Sequence, residues 1–241
     1  MEDVIARRVG ELDADSGEVA EDAQAALIAL GPQVLDQLIA AVPELASFGQ
    51  LCAIEVFTAL GDRRPGDALV YLLGSDDGVV RQWAAEALAE LGIHHAVPHL
   101  SQTYEAYRRR GENPDDHEGT ALRWALTELG ARDVVLPPRA AALCHSIQGL
   151  GPAWPTAHLA EAIADLADHG QAVLSFQLWH INADGGAYAG HGPDIDWPID
   201  RNKPWPQIVA ECREWSLLAT EATSTARDLV ATISWIDASD L

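Results

Sequence analysis

The residues best suited to chemistry in this chain are three neighbouring histidines, His94, His95 and His99. His95 and His99 stand four apart, so a helix would set both imidazoles on one face, the spacing of helical metal-binding pairs. Residue 96 is alanine where a metalloprotease carries its glutamate, and no third ligand lies nearby in sequence. Solvated or helix-capping histidines are the expectation. His191, Asp194 and Asp196 offer further ligand types in a glycine-rich loop. A hard cation wants about six or more oxygens, and this spacing is not that of a calcium loop. The aspartates are expected to cap backbone amides in a turn. Cys144 and His145 are adjacent, which does not set them as nucleophile and base. Asp184-Gly185-Gly186 lacks the flanks of a phosphate loop and reads as a hairpin turn. There is no Gly-x-Ser-x-Gly, and nothing singles out a pair among the 37 acids. The reading therefore names no catalytic residue, metal or cofactor.

The elements that would position any site are legible in a repeat. Ala26-Leu27-Ile28-Ala29-Leu30-Gly31, Val56-Phe57-Thr58-Ala59-Leu60-Gly61, Ala87-Leu88-Ala89-Glu90-Leu91-Gly92 and Ala125-Leu126-Thr127-Glu128-Leu129-Gly130 share one pattern. Their glycines are 30, 31 and 38 residues apart. Ala23, Ala53, Ala84 and Leu122 open an apolar stripe that continues at i+3, i+4 and i+7, the face of an amphipathic helix. Each glycine is placed to end its helix in a left-handed cap. A second apolar segment follows each glycine, so each repeat is a helix pair, and stacking buries what one pair cannot.

The best-formed unit runs from Asp67 to Gly92. It holds the leucines of one helix, the turn Ser75-Asp76-Asp77, Val80-Arg81, Ala84-Ala85 with Ala87-Leu88, and Leu91-Gly92. It resembles the HEAT repeat in its shorter bacterial form, the phycobilisome-lyase HEAT-like repeat, over about residues 20–145. The resemblance implies an α-solenoid and a structural role for Arg81 between repeats. Ser75, Asp76 or Asp77 can cap the helix that follows. The seven extra residues before the fourth repeat fit a loop at Arg108 to Asp116.

After Gly149-Leu150-Gly151-Pro152-Ala153-Trp154-Pro155, which reads as a linker, the pattern changes. A helix fits Ala157–His169, a strand fits Gln171–Ile181 and a return strand fits Ala187–Tyr188. A second helix starts at Trp205, and a last strand covers Leu229–Ile236. The fold expectation is mainly α: an α-solenoid of HEAT-like hairpins over residues 1–150, then a small α+β module over 156–241 with a short sheet and two helices. Six of the eight tryptophans fall after residue 150. Trp179 and Trp215 are expected in the core, and Trp197 at an interface. The strand ending Leu178-Trp179, the Asp196-Trp197 loop, the Trp205-Pro206 helix start and the final Ser234-Trp235 strand are similar in style to small α+β modules of bacterial toxin-immunity families.

Charge bounds the partner. The net charge is −22, with 24 acidic and 11 basic side chains in residues 1–150 and 13 and 4 after them. Such a field repels phosphates and disfavours nucleic acid, whereas it attracts a basic protein. The same acidity can instead reflect solubility or a host-wide bias, in keeping with the single lysine, Lys203. No apolar run is long enough to span a membrane and the N-terminus lacks the signal-peptide pattern. Three scattered cysteines, Cys52, Cys144 and Cys212, suit a reducing cytoplasm. The functional expectation is a cytoplasmic, non-enzymatic protein-binding protein, an immunity or antitoxin-like chain that neutralises a basic bacterial effector. Its candidate contact residues are Asp115, Asp116, Glu118, Asp194, Asp196 and Trp197. Two alternatives stay open: a scaffold or regulatory adaptor, and a lyase-type enzyme or its accessory subunit.

Overall fold

The computed structural model describes residues 2–14, 16–110, 117–147, 151–182, 186–190, 199–200, 202–223 and 229–238. The fold is mainly helical, with one small antiparallel sheet. The first helices are α1 (Glu2–Gly10), α2 (Gly17–Leu30), α3 (Leu35–Ala41), α4 (Ser47–Leu60), α5 (Gly66–Leu72), α6 (Gly78–Glu90), α7 (Val97–Arg110) and α8 (His117–Glu128). The chain divides into two compact units, residues 1–105 with 117–125, and residues 106–116 with 126–241.

In the first unit the repeat columns form the core. Ala23, Ala53, Ala84 and Leu122 are fully buried, and so are Leu27, Phe57 and Leu88 one turn later. Along this stripe α2 packs on α4 and α4 on α6, while α1 and α5 pack on α2 and α6. Alanines in the stripe let these backbones approach, and the leucines and Phe57 fill the space between them. No single helix among the described residues is long and apolar enough to cross a membrane.

The repeated glycines have the conformation that only glycine enters cheaply. Gly31, Gly61, Gly92 and Gly130 all have positive φ, between 64° and 84°. At Gly61 the backbone N–H donates to the carbonyls of Phe57 and Thr58, and a Cβ there would meet nothing within 4 Å. A Gly61→Ala variant therefore carries only the left-handed backbone penalty, about 1 kcal/mol. Urea denaturation checks this as a lowered midpoint at unchanged slope.

The second unit contains α9 (Pro138–Leu143), α10 (Thr156–Asp168) and α11 (Trp205–Thr223). Its strands are β1 (His145–Ile147), β2 (Gly151–Pro155), β3 (Ala172–Ile181), β4 (Ala187–Ala189) and β5 (Leu229–Ile236). They form one sheet in the order β1-β2-β5-β3-β4, antiparallel throughout. Both α10 and α11 pack on the sheet and on each other. On β5, Leu229, Ala231, Ile233 and Trp235 are buried, alternating with half-buried or exposed neighbours.

Two features differ from the sequence expectation. The stretch expected to be a linker supplies the strand β2, which forms a hairpin with β1 just before it and also pairs with β5. The sheet-bearing unit also begins earlier in the chain than residue 156. Its α9 packs on α10, where the Asp165 carboxylate accepts from the Ala140 N–H at 2.7 Å and Arg139 pairs with Glu161.

Candidate functional site

The candidate contact residues fall at positions 115–116, 118 and 194–197 of the sequence. Asp115, Asp116, Asp194, Asp196 and Trp197 lie outside the described residues. Glu118 is described, and it is not a surface residue. Its side chain is fully buried, and both carboxylate oxygens accept from the Arg81 guanidinium, at 2.7 Å to Nε and 2.6 Å to Nη2. Arg81 also donates through Nη1 to the Ser75 carbonyl at 2.7 Å. The forked guanidinium thus ties α8 to the turn before α6 in a planar, two-point geometry that lysine could not supply. Asp77 caps α6 by accepting from the Val79 N–H at 2.9 Å. Glu118 was expected to meet a partner; its real task is to neutralise a buried arginine.

Tryptophan placement also departs from expectation. Trp215 is 55% exposed on α11, three residues from Leu218 at 59%. Trp179 is half-buried, its indole N–H donating to the Thr232 hydroxyl at 2.9 Å. Among the described residues the fully buried indole is Trp154, which donates to the Ala140 carbonyl at 2.9 Å and meets Trp235 edge to face at 6.3 Å between centroids. No local periodicity announced it, because it sits in a short strand flanked by two prolines.

Of the chemistry-bearing candidates, His191, Asp194 and Asp196 lie outside the described residues. His95 contacts the exposed Asp67 carboxylate through Nε2 at 3.0 Å. No group of three or more potential metal ligands occurs among the described residues. Cys52, Cys144 and Cys212 are all buried, and burial pushes each thiol above its usual range, against thiolate formation. The carboxylates with resolved shifts move the other way. Asp62 is held below the ordinary range by hydrogen bonds from Arg64, Asp200 by those from Asn202, and Glu211 by those from Lys203 and Gln207. Each is stabilised as an anion, which suits an ion pair and not a general acid at neutral pH.

The surface electrostatics follow from the same pairings. Arg8 pairs with Glu11 at 2.7 Å, Arg64 with Asp62 at 3.0 Å, Lys203 with Glu211 at 2.7 Å and Arg213 with Asp168 at 2.6 Å. With 15 arginines and lysines against 37 acids, pairing consumes cations and leaves an excess of carboxylates. Exposed pairs of this kind add little stability, so their main consequence is the sign of the remaining field. No protein-family model matches this chain, and no curated protein is significantly similar to it.

Proposed function

We propose that this chain is a non-enzymatic protein-binding protein, an immunity or antitoxin-like chain that captures and neutralises a basic bacterial effector in the cytoplasm. In this reading its first unit is an α-solenoid of HEAT-like hairpins, and its α+β module carries part of the contact surface. The observation that carries the proposal is the charge balance: basic side chains are engaged by neighbouring carboxylates while a large acid excess remains. Such a field draws in a basic protein and repels nucleic acid. Serial packing of α2, α4 and α6 supports the solenoid reading. The contact set is Asp115, Asp116, Asp194, Asp196 and Trp197, with Glu118 withdrawn because it is buried against Arg81.

The test is capture of the effector by the full-length chain, taking as bait the product of any secreted-toxin gene next to its own. Retention at about 50 mM salt and loss by about 300 mM is the expected result, since screening shortens the reach of exposed charges. Alanine at all five contact positions is expected to weaken capture about tenfold or more while leaving the circular-dichroism melt in place. Salt-independent retention, or equal capture by the variant, would remove the electrostatic account.

A further inference from the structure

The first unit has an open groove of about 570 Å³ between α1 and α3, with Asp13 and Glu44 exposed along it. Its walls are aliphatic: Ala6 and Val9 from α1, Ala40 and Ala41 from α3, and Leu45 beyond it. Polar groups sit at a few points only, at Asp13, Gln37 and Glu44. No arginine, lysine or histidine lines it. The nearest cations along α1, Arg7 and Arg8, are both engaged by Glu11.

Asp13 is held in place. Both of its oxygens accept from the Ala46 N–H, at 3.1 and 3.0 Å. A Cβ at Gly49 would fall 2.1 Å from Asp13 Oδ1, so the bare glycine is what leaves room for this carboxylate. Gln37 is half-buried, and its side-chain oxygen, shielded from solvent in its present rotamer, has no hydrogen-bond partner. An acceptor shielded in this way and left unpaired costs free energy that a ligand donor within reach would restore.

We propose that this groove binds a small aliphatic ammonium ion, its alkyl chain along Val9, Ala40 and Leu45 and its charged head between Glu44 and Asp13, with the Gln37 amide turning to accept a further N–H. The charge complementarity is one-sided: carboxylates and an amide oxygen at the polar points, and only apolar contact elsewhere. An anion would meet two carboxylates, and a neutral alcohol would forgo the charge-assisted hydrogen bonds. The site lies within the first unit and does not depend on the effector-binding proposal.

The probe is n-hexylammonium, titrated into the full-length chain by calorimetry and followed by amide NMR, with n-hexanol as the uncharged comparison. Saturable one-to-one binding is expected, with shifts confined to α1, α3 and residues 42–49. Hexanol is expected to bind about tenfold more weakly, as is hexylammonium to a Glu44→Gln variant. Ala40→Trp fills the groove from an exposed helix position and is expected to abolish binding, whereas Asp200→Asn in the second unit leaves it unchanged. Equal affinity for hexanol, shifts spread over the whole acidic surface, or undiminished binding in both Glu44→Gln and Ala40→Trp would overturn the proposal.

Discussion

Replacing Glu118 with alanine is expected to destabilise the helical unit by about 3–5 kcal/mol, the usual cost of leaving a buried charge without its partner. Arg81 is only 7% exposed and Glu118 is fully buried, so water cannot take over the role of the carboxylate. Two of the guanidinium's donors point at the Glu118 oxygens and a third at the Ser75 carbonyl. Truncation removes the carboxylate acceptor of the first two and loosens the turn that precedes α6. Because a domain is held by only about 5–15 kcal/mol in total, the variant should unfold at a much lower urea concentration. Trp83, on α6 two residues after Arg81, offers a fluorescence reporter. Removing both charges separates the loss of a pair from the stranding of a charge. Arg81→Met with Glu118→Leu is expected to recover most of the stability, since apolar residues of similar volume often replace a buried pair at little cost. A double variant as unstable as Glu118→Ala would show that the site needs hydrogen bonding in its own right.

The contrast between Arg81 and Glu118 shows what the sequence could and could not disclose. Arg81 lies inside the unit from Asp67 to Gly92, and the expectation of a structural role for it comes from that unit's resemblance to HEAT-like repeats. Its partner stands 37 residues away, across a break in the repeat period, and carries no mark to distinguish it from other acids. Taken by itself, Glu118 looks like one more charge beside an acidic loop. The repeat columns were legible because their information is local: a 3.6-residue period, small side chains at contact points and a glycine cap. The strands β3 and β5 were legible for the same reason, through β-branched and aromatic residues. By contrast β1 and β2 are short, and β2 carries Pro152 and Pro155, which argue against a strand when read locally. They exist because β2 finds β5, an association with no trace in the segment itself. Trp215 was misplaced for a related reason. Helical periodicity ranks positions by hydrophobicity, but α11 turns its Ile208, Val209 and Cys212 into a core with Ala172 and leaves Trp215 at 55% exposure.

Trp154 is where that non-local association should be most costly to disturb. Its indole is completely buried in β2 opposite Ala231 of β5, with Trp235 edge-on at 83°. Alanine there removes one of the largest core side chains and leaves a cavity that the rigid hairpin cannot close, for an expected loss of about 3–5 kcal/mol. Phenylalanine separates packing from hydrogen bonding. It keeps most of the ring contact but gives up the donation to the Ala140 carbonyl, and that carbonyl still accepts from the Cys144 N–H at 3.2 Å. The acceptor is therefore not orphaned, and Trp154→Phe should lose about half as much as Trp154→Ala or less, chiefly through the smaller ring. Amide hydrogen exchange should report the damage along β2, β5 and α9 while α2 and α4, in the other unit, keep their protection. If Trp154→Ala melted no earlier than the parent chain, β2 would be a decoration on the sheet and not part of its core.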